Sequence, residues 1–297
     1  MNIKSHEFRA PNVDPSAIRE IADGVWVIPD SDYTPMVPNV GIIVGARSTL
    51  VIDTGFGSDN ARTVLNEARR LSRQRPIYLT HTHCHPEHGF GANVVSDEVT
   101  VVCNQAQWRE LQEKGLTILR MFRDQMPELA PMLKEVEFVR PNILYTGSLT
   151  IDLGGTVVEL GEFGGAHSRG DQGILVRSSA PVLFVGDLIE ERHFGLMADN
   201  ESHVGPWIER LNRFERLGAE IVVPGHGHIG GPELIVEYRE HFELVRRRVE
   251  ELRTAGTLSE ANIVERVSTE LFDRYPDWDG RNWGPKIVAD LTWPSRA

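Results

Sequence analysis

The sequence predicts an α/β fold built in layers, with strands covered by helices, and three observations predict it. Short β-branched runs recur between turn residues, segments of helical periodicity alternate with them, and the second half of the chain repeats the layout of the first without repeating its sequence. Over 297 residues, 40% hydrophobic and 25% charged content is the mix of an ordered globular chain, so one compact domain with appended helices is the starting expectation.

In the first half, residues 24–28, 40–44, 49–54 and 77–82 read as strands. After the third, Ser58 is placed to cap a helix whose Ala61, Val64, Leu65, Ala68 and Leu71 share one face. Residues 99–103 form another strand, followed by a helical stretch from Gln105 to about Val136 that Pro127 and Pro131 interrupt. Its Trp108, Met121, Phe122, Met126 and Met132 are expected to pack inside, with a substrate wall as the sharper alternative. Strands return at 149–153, 156–162, 174–176, 182–185 and 221–223, with a helix carrying Trp207, Leu211 and Phe214 before the last. Pro232 opens a helix with Leu234, Tyr238, Phe242, Val245, Val249 and Leu252 on one side, ending at Gly256. Thr257 and Glu260 have capping-box spacing for one more helix, and Tyr275, Trp278, Trp283 and Trp293 make an aromatic tail that should dock. The expected division is an N-terminal extension (1–21), a main domain (22–230) and a helical segment packed on that domain (231–297).

The net charge of -12 disfavours nucleic-acid partners, and Arg246, Arg247 and Arg248 read as a solvated helix face. Residues 1–20 hold no apolar run, and no segment approaches the roughly 20 apolar residues of a membrane span. Two cysteines make no disulfide framework, so a reduced, cytoplasmic chain is expected.

The densest chemistry is HTHCHPEHGFG at 81–91, where His81, His83, His85, Glu87 and His88 crowd together after an apolar strand. Imidazole nitrogen and carboxylate oxygen suit zinc and its neighbours, and the donors suffice for more than one ion. His83 and His85 fall on one side of an extended strand end, and His88 follows a turn through Pro86. Later, His167 lies in a glycine-bounded loop, Asp187 ends VLFVGD and His226 ends IVVPGH, each beside glycine at a strand edge. Cys84 and Cys103 read as packed thiols, His193 and His203 as loop residues that could line the pocket, and His228, two residues past His226, as a competing ligand that the PGHG pattern disfavours. Phe194 and Tyr145 are weaker candidates for touching substrate.

His83-Cys84-His85-Pro86-Glu87-His88, then His167, Asp187 and His226, with VIDTG at 51–55, resembles the metallo-β-lactamase superfamily across about residues 22–230. The resemblance implies an αββα four-layer sandwich with C-terminal helices and metals at the strand edges. It implies that His83, His85 and His167 hold one ion, that His88 and His226 hold a second, and that Asp187 bridges them. Asp53 corresponds to a buried acid that orients a ligand or water, and His81 stands where asparagine is frequent. Glu87 departs from the pattern, which has aspartate there, and its extra methylene places the second ion in question.

Two zinc ions are therefore expected, with iron or manganese as alternatives. A zinc-activated hydroxide, its pKa lowered to about 7, would attack a small-molecule ester, thioester, lactone or lactam, with Asp187 or Glu87 handling the proton. The competing readings are a mononuclear iron oxygenase like the persulfide dioxygenases, and a non-catalytic metal-binding protein. The expected partner is a small-molecule substrate, with no nucleic acid and no membrane, and a homo-oligomer is left open.

Overall fold

The computed structural model describes residues 9–30, 33–95, 98–197 and 201–292. A first sheet begins with β1 (Arg19–Ala22), β2 (Val25–Ile28), β3 (Val40–Val44) and β4 (Thr49–Ile52), paired antiparallel in that order. It continues in parallel through β5 (Ile77–Thr80), β6 (Val99–Asn104) and β7 (Ile143–Tyr145). Parallel neighbours need long crossovers. Helix α1 (Gly57–Ser72) joins β4 to β5, the single turn α2 (Pro86–Gly89) lies between β5 and β6, and α3 (Gln105–Gln125) joins β6 to β7.

The second sheet runs β8 (Ser148–Asp152), β9 (Val157–Glu162), β10 (Gln172–Arg177), β11 (Val182–Glu190) and β12 (Ile221–His226) in spatial order. All its pairs are antiparallel except β11 with β12, which α4 (Val204–Glu215) connects. The sheets face each other through Val25, Val27, Ile43, Leu50 and Ile52 on one side and Leu160, Ile174, Val176, Phe184 and Val223 on the other. Alternate residues turn outward. Ile42 and Val51 pack on Val64, Leu65 and Ala68 of α1, and Leu175, Leu183 and Val185 pack beneath Trp207, Leu211 and Phe214 of α4. Burial on both faces explains why the central strands are apolar runs rather than alternating ones. Each fully buried Val or Leu contributes about 1.5–3 kcal/mol, so a polar substitution at Leu65 would detach α1 from its sheet.

The architecture is the expected αββα sandwich. Helices α5 (Glu233–Ala255), α6 (Glu260–Arg274) and α7 (Gly284–Thr292) extend the outer layer of the second sheet through Tyr238, Phe242, Val267, Leu271 and Ile287. Of the arginine cluster, Arg248 is spent on Glu270 (2.7 and 3.1 Å) and Glu251 (2.8 Å).

Several local expectations are corrected. Ser58 does not cap α1: the helix starts two residues earlier, at Gly57 behind Phe56, and the Ser58 hydroxyl bonds Asn93 instead. The cap of α6 is Ser259, which accepts from the Asn262 N–H at 3.3 Å, so Thr257 and Glu260 form no capping box. The boundary drawn after residue 21 falls inside β1, whose Arg19, Glu20 and Ala22 pair with β2; too few apolar residues marked it as a strand. Strand β11 runs five residues past the predicted 182–185 and is buried throughout. Trp278 is buried, while Trp293 lies outside the described residues.

Candidate metal centre

One edge of the sandwich collects the chemistry. The loop after β5 and the turn α2 carry His81, His83, His85, Glu87 and His88; the loop before β10 carries His167; β11 carries Asp187; and β12 ends on His226. Asp187 reaches the edge because Gly225 lies beside it: a Cβ there would stand 1.9 Å from Asp187 Oδ1.

The side chains form two sets that share Asp187. In the first, His167 Nε2 lies 3.2 Å from His83 Nε2 and 3.0 Å from His85 Nδ1. Asp187 Oδ2 is 3.5 Å from His83 Nε2 and 3.7 Å from His167 Nε2. In the second, Asp187 Oδ1 lies 3.2 Å from His88 Nε2 and 3.6 Å from His226 Nε2, with Glu87 beside them. Nitrogen and oxygen donors about 2.0–2.2 Å from a tetrahedral ion lie roughly 3.3–3.6 Å apart, so both sets have the spacing of a coordination shell.

The far sides of the rings fix which nitrogen is bare. The His88 Nδ1 donates to Asp53 Oδ2 at 2.9 Å, and the His226 Nδ1 to the Val37 carbonyl at 2.9 Å. The His167 Nδ1 donates to the Leu196 carbonyl at 3.1 Å. The Thr82 hydroxyl donates to Asp53 Oδ2 at 2.9 Å and therefore accepts from the His83 Nδ1 at 3.1 Å. Four imidazoles thus turn Nε2 lone pairs towards one another. Such pairs repel unless a cation lies between them, and anchored imidazoles are the usual backing of metal ligands. His88 Nε2 and Asp187 Oδ1 are also buried with no hydrogen-bond partner. The residues present fit two metal ions.

Charge follows the same geometry. Burial pushes His83 well below the ordinary histidine range, aided by the charge of His88, and burial holds His167 at about 3. Without an ion between the sets, burial opposes the charged form of His88 but the Asp187 and Asp53 carboxylates outweigh it, raising its pKa well above the usual value, so that an ion at Nε2 takes the place of a proton. Burial would raise Asp187, yet His88, His226 and His83 around it hold it ionised, far below the carboxylate range.

Asp53 stands where it can orient His88 and, through Thr82, His83. Buried His81 instead has both ring nitrogens without a partner, and burial lowers its pKa to about 4. Cys84 packs as a buried thiol, its pKa raised by burial, and the Cys103 thiol donates to Gln107 at 2.9 Å. His203 pairs with Asp290 at 3.0 Å, and His228 with Tyr33 and Glu191. Phe194 and Tyr145 do not face the site: Phe194 is fully buried among Phe272, Tyr275 and Trp278, and Tyr145 lies in the core between the sheets.

Three buried acids escaped the sequence reading. Asp171 accepts from the backbone N–H of His167 (3.0 Å) and Ser168 (2.9 Å), which pins the His167 loop. Glu110 accepts from Gly170 at 3.1 Å and ties that loop to α3. Glu190, three residues beyond Asp187, accepts from the Leu196 N–H at 3.4 Å, and the Leu196 carbonyl in turn orients His167. Only the spacing of Glu190 from Asp187 on one strand could have flagged it.

The sequence profile of the Metallo-beta-lactamase superfamily matches residues 33–226, the span that holds every donor. The human acyl-coenzyme A thioesterase MBLAC2 is 24% identical over 272 residues, 85% of this chain and 90% of its own. The metallo-beta-lactamase type 2 of Bacteroides fragilis is 29% identical over 230 residues, 75% of this chain and 83% of its own. Among solved structures, a metallo-beta-lactamase from Pontibacter korlensis superposes with a TM-score of 0.61 at 19% identity, covering 75% of this chain and 96% of that one. The stereoselective inverting sec-alkylsulfatase Pisa1 from Pseudomonas sp. gives 0.71 at 16% identity, covering 94% of this chain but half of that longer one. With the profile spanning most of its length and the paired donor sets at the sheet edge, this chain belongs to the metallo-beta-lactamase superfamily.

Proposed function

We propose that the chain is a two-ion hydrolase of acylated small molecules, with thioesters the first class to test among esters, lactones and lactams. The carrying observation is that the two Asp187 oxygens divide between two donor sets whose nitrogens converge bare. His83, His85, His167 and Asp187 would hold one ion, and Glu87, His88, His226 and Asp187 the other. Zinc or a similar ion there supplies water activation near pH 7 and polarisation of a carbonyl oxygen.

The chain's own groups do the rest. Asp53 and Thr82 hold the rings of His88 and His83 in one tautomer, and the Trp207 ring beside His167 keeps that side dry. Glu87 and His226, partly exposed, mark the open side from which substrate enters, and Glu87 is the carboxylate placed to accept a proton there. The acyl preference rests on the thioesterase relative, and a groove of about 470 Å³ along α3, lined by Trp108, Leu111, Leu116, Leu119 and Phe138 together with Gln112, Arg123 and Glu137, would take the acyl chain. Among the described residues no helix is long and apolar enough to cross a membrane.

The test pairs elemental analysis with a substrate panel of an acyl-coenzyme A thioester, an aryl ester, a lactone and a β-lactam. About two divalent ions per chain, with turnover lost on chelation and restored by zinc, is the expected result. One iron per chain with dioxygen uptake would replace the proposal with the oxygenase, and a metal-free, inert chain would end the catalytic reading. The intact second donor set speaks against both outcomes.

A further inference from the structure

Within the second donor set, Glu87 and His88 sit on α2 and Asp187 lies inside β11, but His226 is the last residue of its strand. What holds that strand end comes from the other sheet. The chain between β2 and β3 crosses to β12, where the buried Asn39 takes hold of it. The two amide hydrogens of Asn39 go to the Pro224 and Gly227 carbonyls, each at 2.9 Å, and its backbone N–H to the Gly225 carbonyl at 2.8 Å. One carboxamide thus catches a carbonyl on either side of His226. Its own oxygen accepts from the Asp30 N–H at 2.9 Å. The buried Asp30 carboxylate in turn accepts from the Gly227 N–H at 3.2 Å and the Thr34 N–H at 3.0 Å.

The same connection backs the imidazole. Val37, whose carbonyl accepts from the His226 Nδ1 at 2.9 Å, is itself tied by its N–H to the Thr34 carbonyl at 3.1 Å. Beside it, Met36 has φ +64° and Tyr33 has φ +49°, a left-handed backbone that side chains of this size keep only when their surroundings dictate it. The Tyr33 hydroxyl donates to Glu191, whose N–H donates to the His226 carbonyl at 3.0 Å. His83 and His88 are backed by Thr82 and Asp53 from their own sheet, and His167 by Leu196 from its own. Of these four anchored imidazoles, only His226 is backed from across the sandwich.

We propose that Asn39, assisted by Asp30, is a positioning residue for the second ion, joining the two sheets where His226 leaves β12; this rests on the two-ion reading above. Asn39 touches neither an ion nor the substrate in this role. It fixes the strand end that carries one donor, so loosening it lets His226 drift from Glu87 and His88. His83, His85 and His167 lie on segments that Asn39 and Asp30 do not bond. The grip on the second ion should therefore depend on Asn39, and the grip on the first should not.

The test measures zinc affinity at both sites by competition with a chromophoric chelator. Asn39→Asp keeps the side-chain shape but leaves at most one hydrogen for two carbonyls. The affinity for the second ion should fall about 10-fold or more, and that for the first by less than about twofold. In a His226→Ala background, where the positioned ring is gone, adding Asn39→Asp should lower neither affinity further, a non-additivity that general loosening of the fold would not produce. Should Asn39→Asp lower the melting temperature too far for titration, Asp30→Asn, which disturbs the bonds to Gly227 and Thr34, should shift the second ion alone by a smaller factor. Equal losses at both ions, no loss at either, or a further loss in the His226→Ala protein would overturn the positioning role. A wild-type chain that takes up one ion or none would instead overturn the two-ion reading, and this role with it.

Discussion

The two donor sets share Asp187 yet are built differently. In the first, His83 and His167 are buried like Asp187 and only His85 is partly exposed. In the second, His88 is buried but Glu87 and His226 both reach the solvent side. The first set is therefore fixed by the sandwich itself, through β5, the Asp171-pinned loop and β11. The second is completed at the surface, where a longer carboxylate side chain has room to adjust. Glu87, the departure from the aspartate of the family pattern, therefore lies in the more exposed of the two sets.

The comparison can be broken most severely at the shared residue. Asp187→Asn should empty both sets, leaving well under one ion per chain by elemental analysis and lowering kcat/KM by about 10³-fold or more. Glu87→Gln should separate the sets, leaving about one ion per chain with roughly a 10²-fold loss; equal depletion of both ions would show that they do not load independently. Asp53→Asn keeps the side-chain volume but weakens the acceptor behind His88. Its zinc affinity, read by chelator competition, should fall about 10–100-fold, with the weaker of the two ions affected more.

The smallest effect concerns stability rather than activity. His241 is buried on α5, and burial holds it at about 3, so the unfolded chain binds its proton at a higher pH than the folded one. Its contribution is fully present above about pH 6.5 and is lost as pH falls towards 3, with a slope of up to about 1.4 kcal/mol per unit. Urea denaturation of the metal-free protein between pH 7 and 5 should show this slope on top of those from His81, His83 and His167, and His241→Phe should lower the total by up to about 1.4 kcal/mol per unit; an unchanged slope would assign the acid sensitivity to the other groups.

How far the sequence could be read follows from where information sits along the chain. The cluster from His81 to His88 is legible because its donors are neighbours in sequence and too dense for packing alone. Strands covered by helices were legible from apolar runs that alternate with helical periodicity, and the αββα layering from the resemblance that the donor motifs carry. The supports were not. Thr82, Leu196, Asp171 and Glu190 act through backbone groups and partners that only the assembled loops bring near. Ser58 and Thr257 misled because a polar residue near a helix start suits a cap by composition, while the residue with extended backbone at the junction, Phe56 or Ser259, decides it. Strands β1 and β7 escaped because they are four and three residues long and mostly exposed or half-buried, too short for a period to show.

Gly225 gives the centre a vulnerability of another kind. It donates no atom and carries no charge, yet a single added carbon would occupy the place of an Asp187 oxygen. A saturation-mutagenesis screen scored by activity should therefore find position 225 as intolerant as position 187. The map of indispensable positions drawn from such a screen would be larger than the set of groups that perform the reaction, and its extra members would mark where the chain has to leave room.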